Sequence, residues 1–181
     1  MKIRNHLITA LLAAVLCVLA PWALPTGAVP VTLATLGVYL TAGFLGPVRG
    51  CAAVGLYLGL GALGVPVFAG FTGGVQQCVA PTAGFLWGYL PCVLVAGALC
   101  RVGTPKLTPL WLACGTVVLY AVGCGWFAWQ TDVPLWTAAV TCAIPCLPGE
   151  IVKITVATGV ILSLRGRMRQ LVTAGVKEQR L

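Results

Sequence analysis

The sequence contains very few acidic or imidazole side chains: three of its 181 residues are Asp or Glu and one is His. The acids are Asp132, Glu150 and Glu178, too few for the relay of buried carboxylates that moves protons through a membrane. The only histidine is His6, and no Cys-x-x-Cys pair occurs, so a structural zinc site is not expected. We therefore expect neither a metal nor a cofactor.

The short motifs of nucleotide and hydrolytic sites are also missing. There is no Gly-x-x-x-x-Gly-Lys-[Ser/Thr] for nucleotide, no His-Glu-x-x-His and no Gly-x-Ser-x-Gly. These absences predict that the chain is not an enzyme and does not itself hydrolyse ATP.

Charge is scarce and apolar residues dominate: 8% of residues are charged, 60% are hydrophobic, and the mean hydropathy is +1.02. Soluble domains are about a quarter charged, so we expect an all-α integral membrane protein. Continuous apolar runs such as 90–99 exclude the alternation of a β-barrel. A helix crosses a bilayer with about 20 apolar residues, and the chain, taken as one transmembrane domain over 1–181, has six such stretches: 7–24, 29–45, 48–63, 82–100, 110–129 and 146–164.

Positive charge alternates along the chain. Ten of the eleven Lys and Arg residues precede the first stretch, follow the sixth, or lie in every second loop, whereas the loops around Pro25, Phe71 and Asp132 contain none. Cytoplasmic segments carry this excess, which predicts six spans, cytoplasmic termini and a basic cytoplasmic tail at 165–181. Topology accounts for the net charge of +8 without nucleic acid, and the tail is also a candidate for contact with anionic lipid.

The nine cysteines do not form a disulfide pattern. Six of them fall within or at the ends of apolar stretches, where cysteine packs as a small apolar residue. A bridge between Cys142 and Cys146 on the outer side remains open.

The loop between the third and fourth stretches, 64–84, is long, uncharged and rich in glycine. Irregular backbone at membrane depth requires burial by protein or a cavity. One interpretation is that the loop folds inward, with Gly73 and Gly74 permitting close backbone approach. The alternative is an ordinary flexible loop.

The start of the sixth stretch, Leu147-Pro-Gly-Glu-Ile-Val-Lys153, places Glu150 and Lys153 on one helix face. A lysine in the middle of a membrane costs about 2.5–3.5 kcal/mol, which favours a binding site for a polar, anionic small molecule entering from outside. Alternatively, Glu150 only neutralises Lys153 and stabilises the helix start.

Four ordered motifs resemble those of the BioY family, the biotin-specific substrate-binding (S) subunits of energy-coupling-factor (ECF) vitamin transporters. They are Val29-Pro-Val-Thr-Leu-Ala-Thr-Leu36 through Gly43-Phe-Leu-Gly-Pro47, Leu56-Tyr-Leu-Gly-Leu-Gly-Ala-Leu-Gly-Val-Pro-Val-Phe-Ala-Gly70, Pro81-Thr-Ala-Gly-Phe-Leu-Trp-Gly-Tyr89, and the element at 147–153. The resemblance covers nearly the whole chain.

The resemblance implies a six-helix subunit in the bacterial cytoplasmic (inner) membrane. It would capture biotin from outside, and the loops after spans one and three would close over it. By this analogy Glu150 accepts hydrogen bonds from the ureido N–H groups, and Lys153 pairs with the valerate carboxylate. The candidate substrate-binding residues are Thr32, Gly73, Gly74, Gln77, Thr82, Tyr89, Glu150 and Lys153. The sequence departs from the family at Glu150, where Asp is usual, and at Ala34, where Gln is usual.

In this family an Ala-x-x-x-Ala face docks on a transmembrane coupling subunit, which two ATP-binding subunits drive. Ala10 and Ala14 match that spacing, and small residues at i and i+4 allow close helix approach. Packing inside the bundle is the alternative. Three functions remain open: a biotin-capture subunit of such a module (or one for another vitamin), a self-sufficient biotin facilitator, and a membrane-embedded enzyme or scaffold, against which the lack of clustered catalytic groups counts.

Overall fold

The computed structural model describes residues 2–24 and 29–177, and most of them are helical. The elements in chain order are α1 (Lys2–Leu19), β1 (Ala23–Leu24), β2 (Val31–Thr32), α2 (Ala34–Ala62), α3 (Val75–Val79), α4 (Ala83–Val102), a 3₁₀ turn (Pro105–Leu107), α5 (Thr108–Thr131), α6 (Leu135–Cys142) and α7 (Leu147–Lys177). The two short strands form an antiparallel pair. The prediction of a helical chain is confirmed in its coarse form, since the structure is mostly helical and has this one short strand pair among the described residues.

Several helices are long and apolar enough to cross a membrane. Within the described residues there are four: Ala34–Ala62, Ala83–Val102, Pro105–Thr131 and Leu147–Leu164. A shorter apolar helix covers His6–Leu19. The chain is thus a multi-pass membrane protein, in which the second and third predicted stretches belong to one helical element.

That element, α2, is bent back on itself. Gly46 has φ 73° and ψ −169°, a conformation that glycine adopts without a Cβ clash, and Pro47 lacks the N–H that would continue the helix. In a straight helix Thr41 and Gly50 would lie about 13.5 Å apart. A Cβ on Gly50 would instead lie 3.6 Å from the Thr41 carbonyl oxygen, so the two halves of α2 pack against each other.

The remaining long helices pack around this hairpin. A Cβ on Gly88 of α4 would contact Leu119 of α5, and one on Gly115 of α5 would contact Cys92 of α4. Residue numbers therefore increase along α4 in the direction in which they decrease along α5, and the two helices are antiparallel.

Helix α7 packs beside the first half of α2. A Cβ on Gly43 would meet Ile161, and Thr35 hydrogen-bonds to Glu150. Residue numbers increase in the same direction along the two segments, so the segments are parallel.

The bundle has two chemically different ends. At the bend end, Arg101 Cδ lies 3.8 Å from the position that a Cβ on Gly46 would occupy. Arg49, three residues after Gly46, is exposed. At the loop end, the Gly70 N–H donates to the Pro21 carbonyl at 2.9 Å. The loops that follow α1 and α2 are thereby joined.

The structure shifts some predicted boundaries. Helix α1 ends at Leu19 rather than at residue 24 because Pro21 has no N–H for the next turn and the chain enters β1. Residues 31–32 form β2 rather than the start of a helix. Helix α6 was not predicted, because the spans were predicted from runs of about 20 apolar residues and α6 has only eight residues. Residues 25–28 and 178–181, the latter part of the predicted tail, lie outside the described residues.

Candidate ligand-binding site

A cavity of about 200 Å³ opens at the loop end of the bundle. A single water needs only about 10–15 Å³ by the same kind of measure, so the cavity has room for an organic molecule. Its lining is mixed, with aromatic and aliphatic side chains around a few polar groups, as small-molecule sites usually are. The lining residues are Val29, Pro30, Val31, Thr32, Thr35, Phe68, Ala69, Thr72, Gln77, Thr82, Phe85, Leu86, Tyr89, Leu119, Tyr120, Cys146, Glu150 and Lys153.

An ion pair forms the most polar part of the wall. Lys153 Nζ donates to Glu150 Oε1 at 2.8 Å and to Thr35 Oγ1 at 2.9 Å. Thr35 Oγ1 in turn donates to Glu150 Oε1 at 2.9 Å. Glu150 is 3% exposed and Lys153 7%, so the charges rely on each other rather than on water. Neutralisation and cavity lining, which the sequence left as alternatives for this pair, are both present.

The second carboxylate oxygen has its own partner on another helix. The Tyr39 hydroxyl donates to Glu150 Oε2 at 2.6 Å and lies 2.6 Å from Thr116 Oγ1. Thr116 Oγ1 also lies 2.9 Å from the Leu112 carbonyl oxygen, to which it can donate. Glu150 stands in the first turn of α7, where the helix dipole favours negative charge. Hydrogen bonds from α2 and α7, together with that dipole, thus fix the carboxylate before any ligand arrives.

The loop after α2 folds inward over the cavity, as one of the two interpretations predicted. Phe68 forms an isolated antiparallel bridge with Thr72, and both side chains line the cavity. The loop after α1 contributes Val29 to Thr32 to the cavity lining, and the rings of Trp22 and Phe71, one on each loop, lie 6.0 Å apart between centroids. Two loops therefore cover the site.

Gly73 and Gly74 hold the second loop in place but are not among the cavity-lining residues. A Cβ on Gly73 would lie 2.4 Å from the Val65 carbonyl oxygen. Gly74 has φ 103° and donates its N–H to the Gly61 carbonyl at 2.7 Å. The close backbone approach expected at these glycines is present, but it is to the end of α2 and its own loop. In this geometry their part in the site is to shape the loop.

The other predicted site residues all line the cavity. Gln77 belongs to α3 and Thr82 precedes α4, and both side chains are half-buried. Tyr89 lies further along α4 and is buried, and its hydroxyl interacts with that of Thr32.

Sequence reasoning missed six polar groups at the site. Four of them line the cavity, namely Thr35, Thr72, Tyr120 and Cys146, and two stand behind the Glu150 carboxylate, namely Tyr39 and Thr116. Thr35 is one helical turn before Tyr39, so an apolar helix with two hydroxyls on one face was the available signal. Tyr120 lies on α5 and Cys146 in the turn between α6 and α7, and they interact with each other through hydroxyl and thiol. No local pattern connects them.

Two further predictions concern the surface of α1 and the pair of cysteines at 142 and 146. Ala10 and Ala14 are both exposed on α1, so they do not pack inside the described bundle. Cys142 and Cys146 are both buried and carry free thiols rather than a bridge.

Comparison with known proteins finds consistent relatives. The BioY family profile matches residues 1–170. The biotin transporter BioY of Rhodobacter capsulatus is 38% identical, with 87% of this chain and 90% of the relative covered. BioY of Rhizobium etli is 35% identical with the same coverage. The crystal structure of the S-component for biotin from an ECF-type ABC transporter has the same fold, with a TM-score of 0.82 at 23% identity over 91% of this chain and 92% of that one.

Proposed function

Because the chain belongs to the BioY family, we propose that it binds biotin in the cavity at Glu150 and Lys153 and delivers it for uptake. The observation that supports this most directly is a buried donor–acceptor pair in the wall of a cavity covered by two loops. Buried charges in membrane segments are costly and are usually functional. Here the pair faces the cavity.

The proposed topology has six spans with both termini in the cytoplasm. The bend at Gly46 supports it because the two halves of α2 then count as two spans. The two ends of the bundle also differ as the topology requires: Arg49 and Arg101 are at the bend end, and the cavity opens at the loop end. Positive charge favours the cytoplasmic side, so the cavity opens outward from the bacterial cytoplasmic membrane.

The proposed partners are a transmembrane coupling subunit and two ATP-binding subunits of an ECF-type module. Ala10 and Ala14 are the proposed contacts with the coupling subunit. Their exposure, with small side chains one turn apart on α1, allows a partner helix to approach closely. Uptake that persists in cells without any such module would instead favour the self-sufficient facilitator.

Biotin binding to the purified protein in detergent tests the proposal. We expect tight binding by the wild type, loss of binding in Lys153→Ala, and unchanged binding in Arg101→Ala, which removes a cation at the opposite end. Removing one partner of a buried ion pair can destabilise a protein by about 3–5 kcal/mol. Each variant is therefore first checked for a single, symmetric peak in size-exclusion chromatography.

Two outcomes would contradict the proposal. One is a wild-type protein that ignores biotin, in which case other vitamins are the next ligands to test. The other is a well-folded Lys153→Ala protein that binds biotin as tightly as the wild type, which would place the ligand elsewhere.

A further inference from the structure

Helix α3 belongs to the loop that covers the cavity, and its own residues do little to hold it in place. It has five residues, none of which is buried. Isolated helices of fewer than about 12 residues are marginal even with favourable sequences. Of its side chains, the half-buried Cys78 packs against the main core, and Gln77 lines the cavity. The position of α3 over the cavity therefore depends on bonds to other parts of the chain.

The carbonyl groups of residues 78–80, at the C-terminal end of α3, accept hydrogen bonds from three side chains of neighbouring helices. The bonds run from Trp87 Nε1 to Cys78 at 3.0 Å, from Gln130 Nε2 to Val79 at 3.1 Å and from Trp126 Nε1 to Ala80 at 3.2 Å. The last carbonyl groups of a helix have no partner within the helix itself. Donors on α4 and α5 thus tie the end of α3 to two long helices of the bundle.

Trp126 is the donor that is best shielded from water. It is half-buried, whereas Trp87 and Gln130 are exposed. A Cβ on Gly84 would lie 2.3 Å from Trp126 Cβ, so the absence of a side chain at the start of α4 lets the tryptophan pack directly against that helix. Gln130 lies one turn further along α5, on the same face. A hydrogen bond is stronger where water competes less, so we expect Trp126 to contribute most.

We propose that Trp87, Trp126 and Gln130 are positioning residues, which hold α3 over the cavity and thereby set how long biotin stays bound. This inference rests on the proposed function. A wall that is already in place does not have to be ordered when the ligand binds. Without the three donors, α3 leaves its position more often and biotin dissociates faster.

This role differs from a contribution to the stability of the bundle. The Ala80 carbonyl also accepts the Ala83 N–H at 2.8 Å, so Trp126→Phe leaves that carbonyl with a partner. Phenylalanine also keeps an aromatic ring beside Gly84. We therefore expect the dissociation rate of biotin to change more than the amount of folded, binding-competent protein.

The test measures dissociation of radiolabelled biotin from the purified protein in detergent, after addition of excess unlabelled biotin. Trp126→Phe is expected to raise the dissociation rate about 3- to 10-fold, the factor for losing one neutral hydrogen bond, with the number of binding sites per protein unchanged. Trp129→Phe is the matched control. Trp129 lies on the same helix with its ring 5.4 Å from that of Trp126, and it is not among the described donors to α3.

Hydrogen exchange in the ligand-free protein measures the position of α3 without biotin. Amides that are released by local opening exchange faster. Peptides that cover residues 75–82 are therefore expected to exchange faster in Trp126→Phe than in Trp129→Phe, while peptides from α7 exchange equally in the two variants.

The inference is overturned if Trp126→Phe and Trp129→Phe release biotin at the same rate. It is also overturned if Trp126→Phe only lowers the number of binding sites and the remaining sites release biotin at the wild-type rate, which indicates a purely structural role. If Trp126→Phe does not fold, Gln130→Leu at the exposed position decides the question, with an expected increase in the dissociation rate of at least about 2-fold. Failure of the proposed function looks different: the wild type then binds no biotin, while hydrogen exchange still reports whether α3 is held.

Discussion

Replacing Tyr39 with phenylalanine removes one hydroxyl from the support of the ion pair. That hydroxyl is buried and donates to Glu150 Oε2 at 2.6 Å. Phenylalanine has nearly the same shape, so no cavity is created. The lost interaction is a hydrogen bond to a charged group, which contributes about 1.5–3 kcal/mol.

This loss is measurable as a change in thermal stability. In a protein of this size, 1 kcal/mol shifts Tm by about 2–4 °C, so a loss of about 2 kcal/mol lowers Tm by about 4–8 °C. The assay is thermal unfolding of the ligand-free protein in detergent. Tyr57→Phe is a matched control, because Tyr57 is equally buried on the same helix and is not among the described hydrogen-bond partners of Glu150.

A double-substitution cycle separates the charged hydrogen bond from other effects. In a Glu150→Gln background the carboxylate is gone, and Tyr39→Phe is expected to cost about 1 kcal/mol, the value for a neutral hydrogen bond. The reasoning is refuted if Tyr39→Phe lowers Tm by the same amount in both backgrounds, or by no more than Tyr57→Phe.

Three other predictions follow from the cavity, the exposed face of α1 and the packing of α2. The Cys146 thiol lines the cavity, so saturating biotin is expected to protect it from alkylation by N-ethylmaleimide. Mass spectrometry of the modified peptides measures the labelling, and equal labelling with and without biotin would contradict the site. Ala14→Leu is expected to leave biotin binding unchanged but to abolish uptake in cells that contain an ECF module. Val18 is also exposed on α1, and Val18→Leu is expected to retain uptake. Equal uptake by the two variants would rule out this interface. Gly50→Ala places a Cβ 2.4 Å from Val93 Cγ1 and is expected to destabilise the protein by about 1–3 kcal/mol. Gly55→Ala, whose Cβ has no neighbour within 4 Å, should leave Tm unchanged or raise it. A lower Tm for Gly55→Ala than for Gly50→Ala would contradict the packing.

The long apolar helices could be predicted from sequence because lipid imposes a simple requirement of length and hydropathy. Their ends were less predictable, since they depend on local chemistry: Pro21 stops α1, and the Gly46–Pro47 bend joins two predicted stretches into one element. Helix α6 was missed because its eight residues carry no length signal.

The candidate site shows the same division. Glu150 and Lys153 could be identified from sequence because a charged pair inside an apolar helix is conspicuous. Tyr39 and Thr116 could not, because Tyr39 reaches Glu150 from α2, Thr116 reaches Tyr39 from α5, and only tertiary packing brings the two hydroxyl groups within 2.6 Å of each other. Gly73 and Gly74 were correctly associated with close backbone approach, but sequence cannot tell which backbone they approach.

The structure of the biotin complex tests the central claim most directly. The account predicts biotin inside the cavity beneath the two loops, with polar atoms within about 2.7–3.2 Å of Glu150 and Lys153. Biotin bound outside this cavity, or inside it without contact to either side chain, would contradict the account.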